Sequence, residues 1–600
     1  EINDAIDAAR YLGQSASALG AVRGAEFHPD RLALVVAEAG VPLGERAEAL
    51  LALLAAGSAV VLVSHPSVAR SSAVLIEEWV AAGLGDGLVS LAVAAASDDP
   101  RTAHFELAAS FAVDTRIDRA VVLGHRETAK ALLRRRPDLR IEGRFRSLGA
   151  AVIAPSADPA LAVQHAVASA FGAMHADATT ARALVLLGAA ARSPRVREGL
   201  ADAVASLRVG DTAKPGDLDP LSFEFGPLPE LPGEAGLRAL TELDQGEEWL
   251  VQPKRLDEEG LLWRPGVRTG LTKNSRFWSD AVGMPVIGVI SSHSIDEAIA
   301  LTNELSGGSV ASLHAGDPGE TLPWLERARA ARIVVGRPTT GGRVERQPGG
   351  GWFAAGMGAS ALAGGPYRLH AFGSWELREG TSSSTLHLRG LAPEVRLLIE
   401  TAQASLDYQS FDRVRRAALS DALAWRTSLG RAYDVSGLGI ERNLLRHWPV
   451  VTHVRLAEGA PIADLVRVVA AGLVVGAPMT VSTGVVLTPE IAEVLAMQGV
   501  SVALERDDDW LARISVNGPG DDELAASRIR LIGGDRVRTA EWLGGLDEVT
   551  LWAEPVTMAG PVELLAFVRE QAISIAAHRH GLALLPAGIG GWIAELQGRG

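Results

Sequence analysis

The side chain with the most versatile covalent chemistry is missing: among 600 residues there is no cysteine. That single absence removes thiolate nucleophiles, thiolate-held metals and disulfides together. The other reactive residues are plentiful but fall into no catalytic pattern. No Gly-x-Gly-x-x-Gly follows a strand, and no Gly-Lys-Ser/Thr loop is present to cradle phosphates. No Gly-x-Ser-x-Gly elbow raises a serine at a strand-to-helix turn. His578 and His580 stand two apart near an expected helix end, which reads as surface histidines and not as metal ligands. Asp507, Asp508 and Asp509 read as a solvated turn, and Arg134, Arg135 and Arg136 as a solvated helix face.

The bulk composition narrows the function classes further. Hydrophobic residues make up 48% and charged residues 22%, as in folded globular chains. The length implies two to four domains. A net charge of -15 excludes a phosphate-neutralising face, so nucleic acid is not an expected partner. No apolar stretch reaches the roughly 20 residues of a membrane span. The segment 47–63 comes nearest, and Gly57 and Ser58 break it. No signal peptide is seen, which points to the cytoplasm. The chain opens at Glu1 without a Met, inside a helical pattern of Ile2, Ile6 and Ala9, so a piece of a longer polypeptide is expected.

These residues must be positioned by alternating elements. Apolar runs at 32–37, 59–63, 88–93, 119–123 and 150–154 have strand length, and amphipathic stretches such as 47–56 and 73–82 lie between them. Such alternation indicates βαβ units and a mainly parallel sheet. A Pro-, Asp- and Glu-rich linker is expected from 211 to 257, after which 286–290, 296–305 and 333–335 resume the pattern. Gly349, Gly350 and Gly351 open a Gly/Ala-rich segment too poor in charge for disorder, so it reads as an ordered loop against backbone. Runs at 374–378 and 385–389 flank a Gly-Thr-Ser-Ser-Ser turn and suggest a hairpin flap. A helical stretch from 392 to 429 leads to a third region resembling the first. Gly57-Ser-Ala-Val-Val-Leu-Val and Gly476-Ala-Pro-Met-Thr-Val-Ser each follow an apolar helix, and strands are expected at 500–504 and 548–553. Either the chain carries a second Rossmann-like half, or two unrelated α/β units share a composition.

Several motifs in fixed order resemble the aldehyde dehydrogenase superfamily, in particular the glutamate-semialdehyde (pyrroline-5-carboxylate) dehydrogenase module of the bifunctional proline-utilisation proteins, PutA. They are Leu123-Gly-His-Arg-Glu-Thr-Ala129, Trp263-Arg-Pro-Gly-Val-Arg-Thr-Gly270, Pro285-Val-Ile-Gly288 before Asp296-Glu-Ala-Ile-Ala-Leu301, Arg337-Pro-Thr-Thr-Gly341, Arg346-Gln-Pro-Gly-Gly-Gly-Trp352 and Ala363-Gly-Gly-Pro366. Gly439-Ile-Glu-Arg-Asn-Leu-Leu-Arg446 is similar to the segment entering the C-terminal domain of the longer PutA proteins. The resemblance implies an α/β aldehyde-dehydrogenase fold: a Rossmann-like, NAD-binding-type domain at 1–175, a catalytic-type domain at 176–368, an oligomerisation hairpin at 369–391, and a C-terminal helical segment with a second Rossmann-like domain at 392–600.

In that family a cysteine thiolate adds to the aldehyde, hydride passes to NAD, and a glutamate activates water to release the acid. Carried onto this sequence, nearly every such position is lost. Asp177, in Met174-His-Ala-Asp-Ala178, falls where the cysteine belongs, and a carboxylate adds poorly to an aldehyde. The oxyanion-hole asparagine falls at Gly40. The ribose-gripping lysine and glutamate fall at Val63 and Ala281. The general-base glutamate falls at Arg144, with Glu142 as the alternative match. Gly124 keeps the glycine of the nucleotide-binding turn, though a tight strand-to-helix turn requires it anyway. Ser360 and Ala361 lie in the loop that binds the substrate carboxylate in the family.

The leading expectation is therefore a catalytically degenerate relative with a structural, assembly or regulatory role, needing no cofactor or metal. Its expected partner is another copy of itself or a proline-catabolic domain. Two alternatives stand beside it. One is an active NAD-dependent dehydrogenase within a bifunctional polypeptide, and the other a ligand-binding module retaining a nucleotide or carboxylate pocket.

Overall fold

In the computed structural model, residues 1–600 are described except 98, 173–178, 212–221, 360, 380–386, 516–527, 580–581, 584, 586–587 and 599–600. Three large sheets organise the chain, and their inner strands are buried on both faces while edge strands such as Ser501–Leu504 and Glu248–Val251 are not. Runs such as Leu32–Ala37 and Ala183–Leu187 are continuously apolar because helices cover both sides of a parallel sheet.

The N-terminal sheet has the order Gly356–Met357, Arg140–Phe145, Arg119–Gly124, Leu32–Ala37, Ala59–Ser64, Val89–Ala92. All neighbours are parallel except the first pair. Two of its helices start where the sequence supplies side-chain caps. Asp99 accepts the Thr102 amide ahead of Pro100, and His65 accepts the Ser67 amide ahead of Pro66.

The central sheet has ten strands. Val568–Ala576, Arg332–Val335, Val310–His314, Ala150–Ile153, Ala183–Leu187, Val286–Ser292 and Gly266–Thr269 run parallel. Glu248–Val251 closes one edge antiparallel, and Glu441–Pro449 with Tyr433–Asp434 closes the other. The C-terminal sheet orders Ser501–Leu504, Met479–Thr483, Thr452–Leu456, Arg528–Ile532, Thr550–Trp552. Matched in chain order, its five strands have the same arrangement as the five parallel strands of the N-terminal sheet. The apparent internal repeat is thus a shared topology.

Several sequence expectations need correction. The strand Ala150–Ile153 belongs to the central sheet, so the crossing between layers lies near 146–149 and not at 175. Strand–helix alternation continues unbroken across the junction, which hides it. The expected linker 211–257 contains the helix Glu234–Thr241 and the edge strand Glu248–Val251. The first arm of the expected flap, Gly373–Leu377, pairs antiparallel with Ala25–Pro29 and sets Trp375 against Phe27 in a tilted arrangement with ring centroids 5.0 Å apart. Of its supposed partner arm at 385–389, residues 385 and 386 lie outside the described residues, and 387–389 form no strand. Asp507, Asp508 and Asp509 form the first turn of the helix Asp507–Ile514, where carboxylates favour the helix dipole, and Asp507 binds Arg455. His578 begins a two-residue strand, and His580 lies outside the described residues.

Candidate functional site

Three strands of the N-terminal sheet end at one crevice of about 300 Å³. Glu38 follows Leu32–Ala37, His65 follows Ala59–Ser64, and His125 follows Arg119–Gly124. The crevice lies outside the carboxyl ends of the strands, at the switch in strand order where α/β sheets bind ligands. Gly124 has φ of 138°, and a Cβ there would lie 2.7 Å from the Glu38 carboxyl carbon. Glu38 accepts the His125 amide at 3.0 Å, and also bonds the His125 ring and the Thr128 hydroxyl. It therefore occupies the amino end of the helix Arg126–Arg135. Burial pushes the Glu38 carboxyl up, but the His125 and Thr128 bonds and the Arg146 charge hold it below the usual carboxylate range. The group is an anion at neutral pH.

That geometry decides the fit of a dinucleotide. A diphosphate at this helix end would meet an ionised carboxylate already in place. Like charges about 4 Å apart at an effective dielectric of about 20 repel by on the order of 4 kcal/mol. Val63, at 0% exposure inside the sheet, and Ala281, also at 0%, offer no group to a ribose. The residues present do not fit NAD. Beside the crevice, burial brings the His104 imidazole down to about 4, so it is neutral.

Gly40 has φ of 68°, and a side chain there would drive into the ring of Pro229. Only glycine suits the position, and the space an amide would need is filled.

A larger cleft of about 540 Å³ opens where the N-terminal helix Leu43–Ala56 meets the central sheet, walled by Glu48, Arg144, Gly172, Thr179, Arg332 and Gly349. Gly172 and Thr179 bracket the segment holding Asp177, which itself lies outside the described residues. Strand alternation sets Glu142 and Arg144 on one face of Arg140–Phe145. There they meet Glu48 and Arg368 in a closed cluster of two carboxylates and two guanidiniums. Arg368 Nε donates to Glu48 Oε1 at 2.9 Å, and its other nitrogens bind Glu142 and Glu48. Arg144 binds Glu48 and lies 3.8 Å from Glu142. Arg368 is 0% exposed and rests over the Phe372 ring at 4.5 Å. Burial pushes the Glu48 carboxyl up, and the Arg144 and Arg368 guanidiniums outweigh it, holding the group below the usual range. Burial lowers Arg368, and Glu142 and Glu48 raise it beyond its ordinary value. Glu142, the alternative match, is thus tied into ion pairs with Arg368 and Arg144.

The structure brings Gly124, Val63 and Gly40 to the crevice end of the sheet and Arg144 to the cleft. It separates Ala361, which lines a different cavity toward the C-terminal sheet; Ser360 is outside the described residues. Glu38, Pro229, Glu48 and Arg368 escaped the sequence reading. The charged Arg46 and Glu48 within the apolar helix Leu43–Ala56 were the visible signal of a buried polar role.

The aldehyde dehydrogenase family model matches residues 40–375, more than half the chain. Proline utilization A of Corynebacterium freiburgense superposes with a TM-score of 0.78 at 30% identity, over 96% of this chain and 53% of that one. A variant of 1-pyrroline-5-carboxylate dehydrogenase from Thermus thermophilus shares the fold at a TM-score of 0.53 and 21% identity, over 62% of this chain and 72% of that one. Among curated proteins, 2,5-dioxopentanoate dehydrogenase of Saccharolobus solfataricus is 26% identical over 305 residues, which is 50% of this chain and 60% of that protein. No described helix is long and apolar enough to cross a membrane.

Proposed function

We propose that this chain, which belongs to the aldehyde dehydrogenase family, is a catalytically degenerate member related to proline catabolism, acting in a structural, assembly or regulatory capacity in the cytoplasm. The observation that carries the reading is the absence of cysteine from the whole sequence. Without a thiolate the covalent adduct from which hydride would leave does not form. The surrounding geometry supports the reading independently. Pro229 fills the space beside Gly40, Glu38 fills the space beside Gly124, and Glu142 is held by Arg368 and Arg144. Removing a thiol alone would leave a cofactor crevice intact; here the chain's own side chains occupy it.

The chain spans about half the length of the proline-utilisation protein it resembles. Its proposed partner is another copy of itself or a proline-catabolic domain. The deciding experiment is an assay of NAD reduction with pyrroline-5-carboxylate. We expect a rate equal to the no-protein blank, and turnover clearly above it overturns the reading. Light scattering coupled to size exclusion tests the assembly role, with a strict monomer that captures no proline-catabolic domain counting against it.

A further inference from the structure

Between the N-terminal and C-terminal sheets lies a cavity of about 120 Å³ that shares no lining residue with the cleft or the crevice. It has room for roughly ten water-sized positions at ~10–15 Å³ each. Among the described residues, its walls carry two separate sets of charged groups that share no hydrogen bond or ion pair.

The first set holds three arginines. Arg119 is matched by Asp30 at 2.5 Å and Arg140 by Glu554 at 2.5 Å. Arg536 is not matched in this way. Among the described residues its guanidinium donates no hydrogen bond, and its one ion pair is to Asp138 at 4.0 Å. Burial and then the neighbouring Arg140 pull it down to about 10, which still leaves a cation at neutral pH.

The second set centres on Glu570, which is 3% exposed. Its Oε2 accepts the Leu362 amide at 2.6 Å, while its Oε1 accepts no hydrogen bond among the described residues and lies 4.0 Å from His447 Nε2. The Trp552 Nε1 and His370 Nδ1 atoms are likewise buried without partners, and both residues line the same cavity. Aromatic rings complete this wall: Trp375 with His370 stacked on it at 5.2 Å, Tyr367, and Trp552. A buried polar atom left unpaired costs about 1–3 kcal/mol, and each of these three belongs to a residue of the cavity wall.

A guanidinium with free N–H groups is a carboxylate receptor, and a carboxyl group set among aromatic faces receives an organic cation. We propose that this interdomain cavity binds a small zwitterion of amino-acid size, its carboxylate on Arg536 and its ammonium against Glu570 and the rings of Tyr367, Trp375 and Trp552. The proposal is independent of the catalytic state of the cleft, because no residue is shared.

The test is calorimetric titration of the full chain with each proteinogenic amino acid and with glycine betaine, and with acetate and tetramethylammonium as single-charge controls. At least one zwitterion is expected to bind with Kd below about 1 mM, and each control about tenfold more weakly or worse. Arg536→Gln and Glu570→Gln should each weaken that binding by about tenfold. Ala371→Phe keeps both charges but fills the cavity, and should abolish binding while circular dichroism stays unchanged. Silence from the whole panel overturns the proposal. So does binding that survives Arg536→Gln or Ala371→Phe, or acetate binding as tightly as any zwitterion.

Discussion

Replacing Arg368 with Met keeps most of the stem's bulk but removes the guanidinium that joins Glu48 to Glu142. Breaking a buried ion pair by removing one partner costs about 3–5 kcal/mol, and losing the contact over Phe372 adds roughly 1 kcal/mol. Arg144 remains bound to Glu48 and close to Glu142, which places the expected loss near the lower bound, about 3–4 kcal/mol. The chain has several cores, so a single global transition is the wrong readout. Hydrogen exchange along Arg140–Phe145 reports the local opening, and its protection should fall by roughly two to three orders of magnitude. The pH dependence gives a second handle. The Glu48 carboxyl is held below its ordinary value in the fold, so its contribution is full above that ordinary value and disappears as pH falls through the folded one. The gap between wild type and variant should be complete at neutral pH and narrow in acid. A loss under about 1 kcal/mol at neutral pH, or a gap that ignores pH, would refute the claim that Arg368 neutralises these carboxylates.

Further outcomes follow from the same geometry. Gly124→Ala forces an alanine to φ of 138° and pushes Glu38 off the helix end, and should lower local stability by about 2–4 kcal/mol; hydrogen exchange along Arg119–Gly124 checks it, and unchanged protection contradicts it. Asp177→Cys supplies a thiol at the position expected from sequence, yet NAD reduction should stay at blank level because Gly40, Val63 and Glu38 are untouched; measurable turnover would show that the thiol alone was missing. Burial raises Glu570 to about 7 despite the Leu362 amide and Arg368. Its proton is therefore held more tightly in the fold than in the unfolded chain, and stability declines as pH rises from the unfolded value through about 7. Glu570→Gln should flatten that decline, a difference on the order of 3 kcal/mol by pH 8, and an unaltered pH profile would contradict it.

Much of the architecture was legible because parallel strands buried on both faces leave unmistakable apolar runs. Those at 32–37, 59–63 and 119–123 lie within a residue of their true bounds. The repeat was legible for the same reason, as a recurring order of elements. What failed were features decided through space. The pairing of Gly373–Leu377 with Ala25–Pro29 has no local signature, whereas the polar turn beside it looks like a hairpin. Glu248–Val251 is a four-residue edge strand buried in charged sequence, and it read as linker. At the site the missing thiol needed no structure, being a property of composition. The occupants of the old spaces did, because Arg368 meets Glu142 across 226 residues and Glu38 meets His125 across 87.

The strand Val568–Ala576 lies inside the central sheet, between Arg332–Val335 and Glu441–Pro449. A ribosome making this chain from its beginning would release six of the sheet's parallel strands long before the seventh emerged. Until then Arg332–Val335 would present an open row of amides and carbonyls, a template for pairing with a stranger. The helices and C-terminal sheet made in the interval would have to fold around a gap left for a late arrival. Cells expressing versions shortened before residue 568 should accumulate aggregates and not a smaller soluble protein.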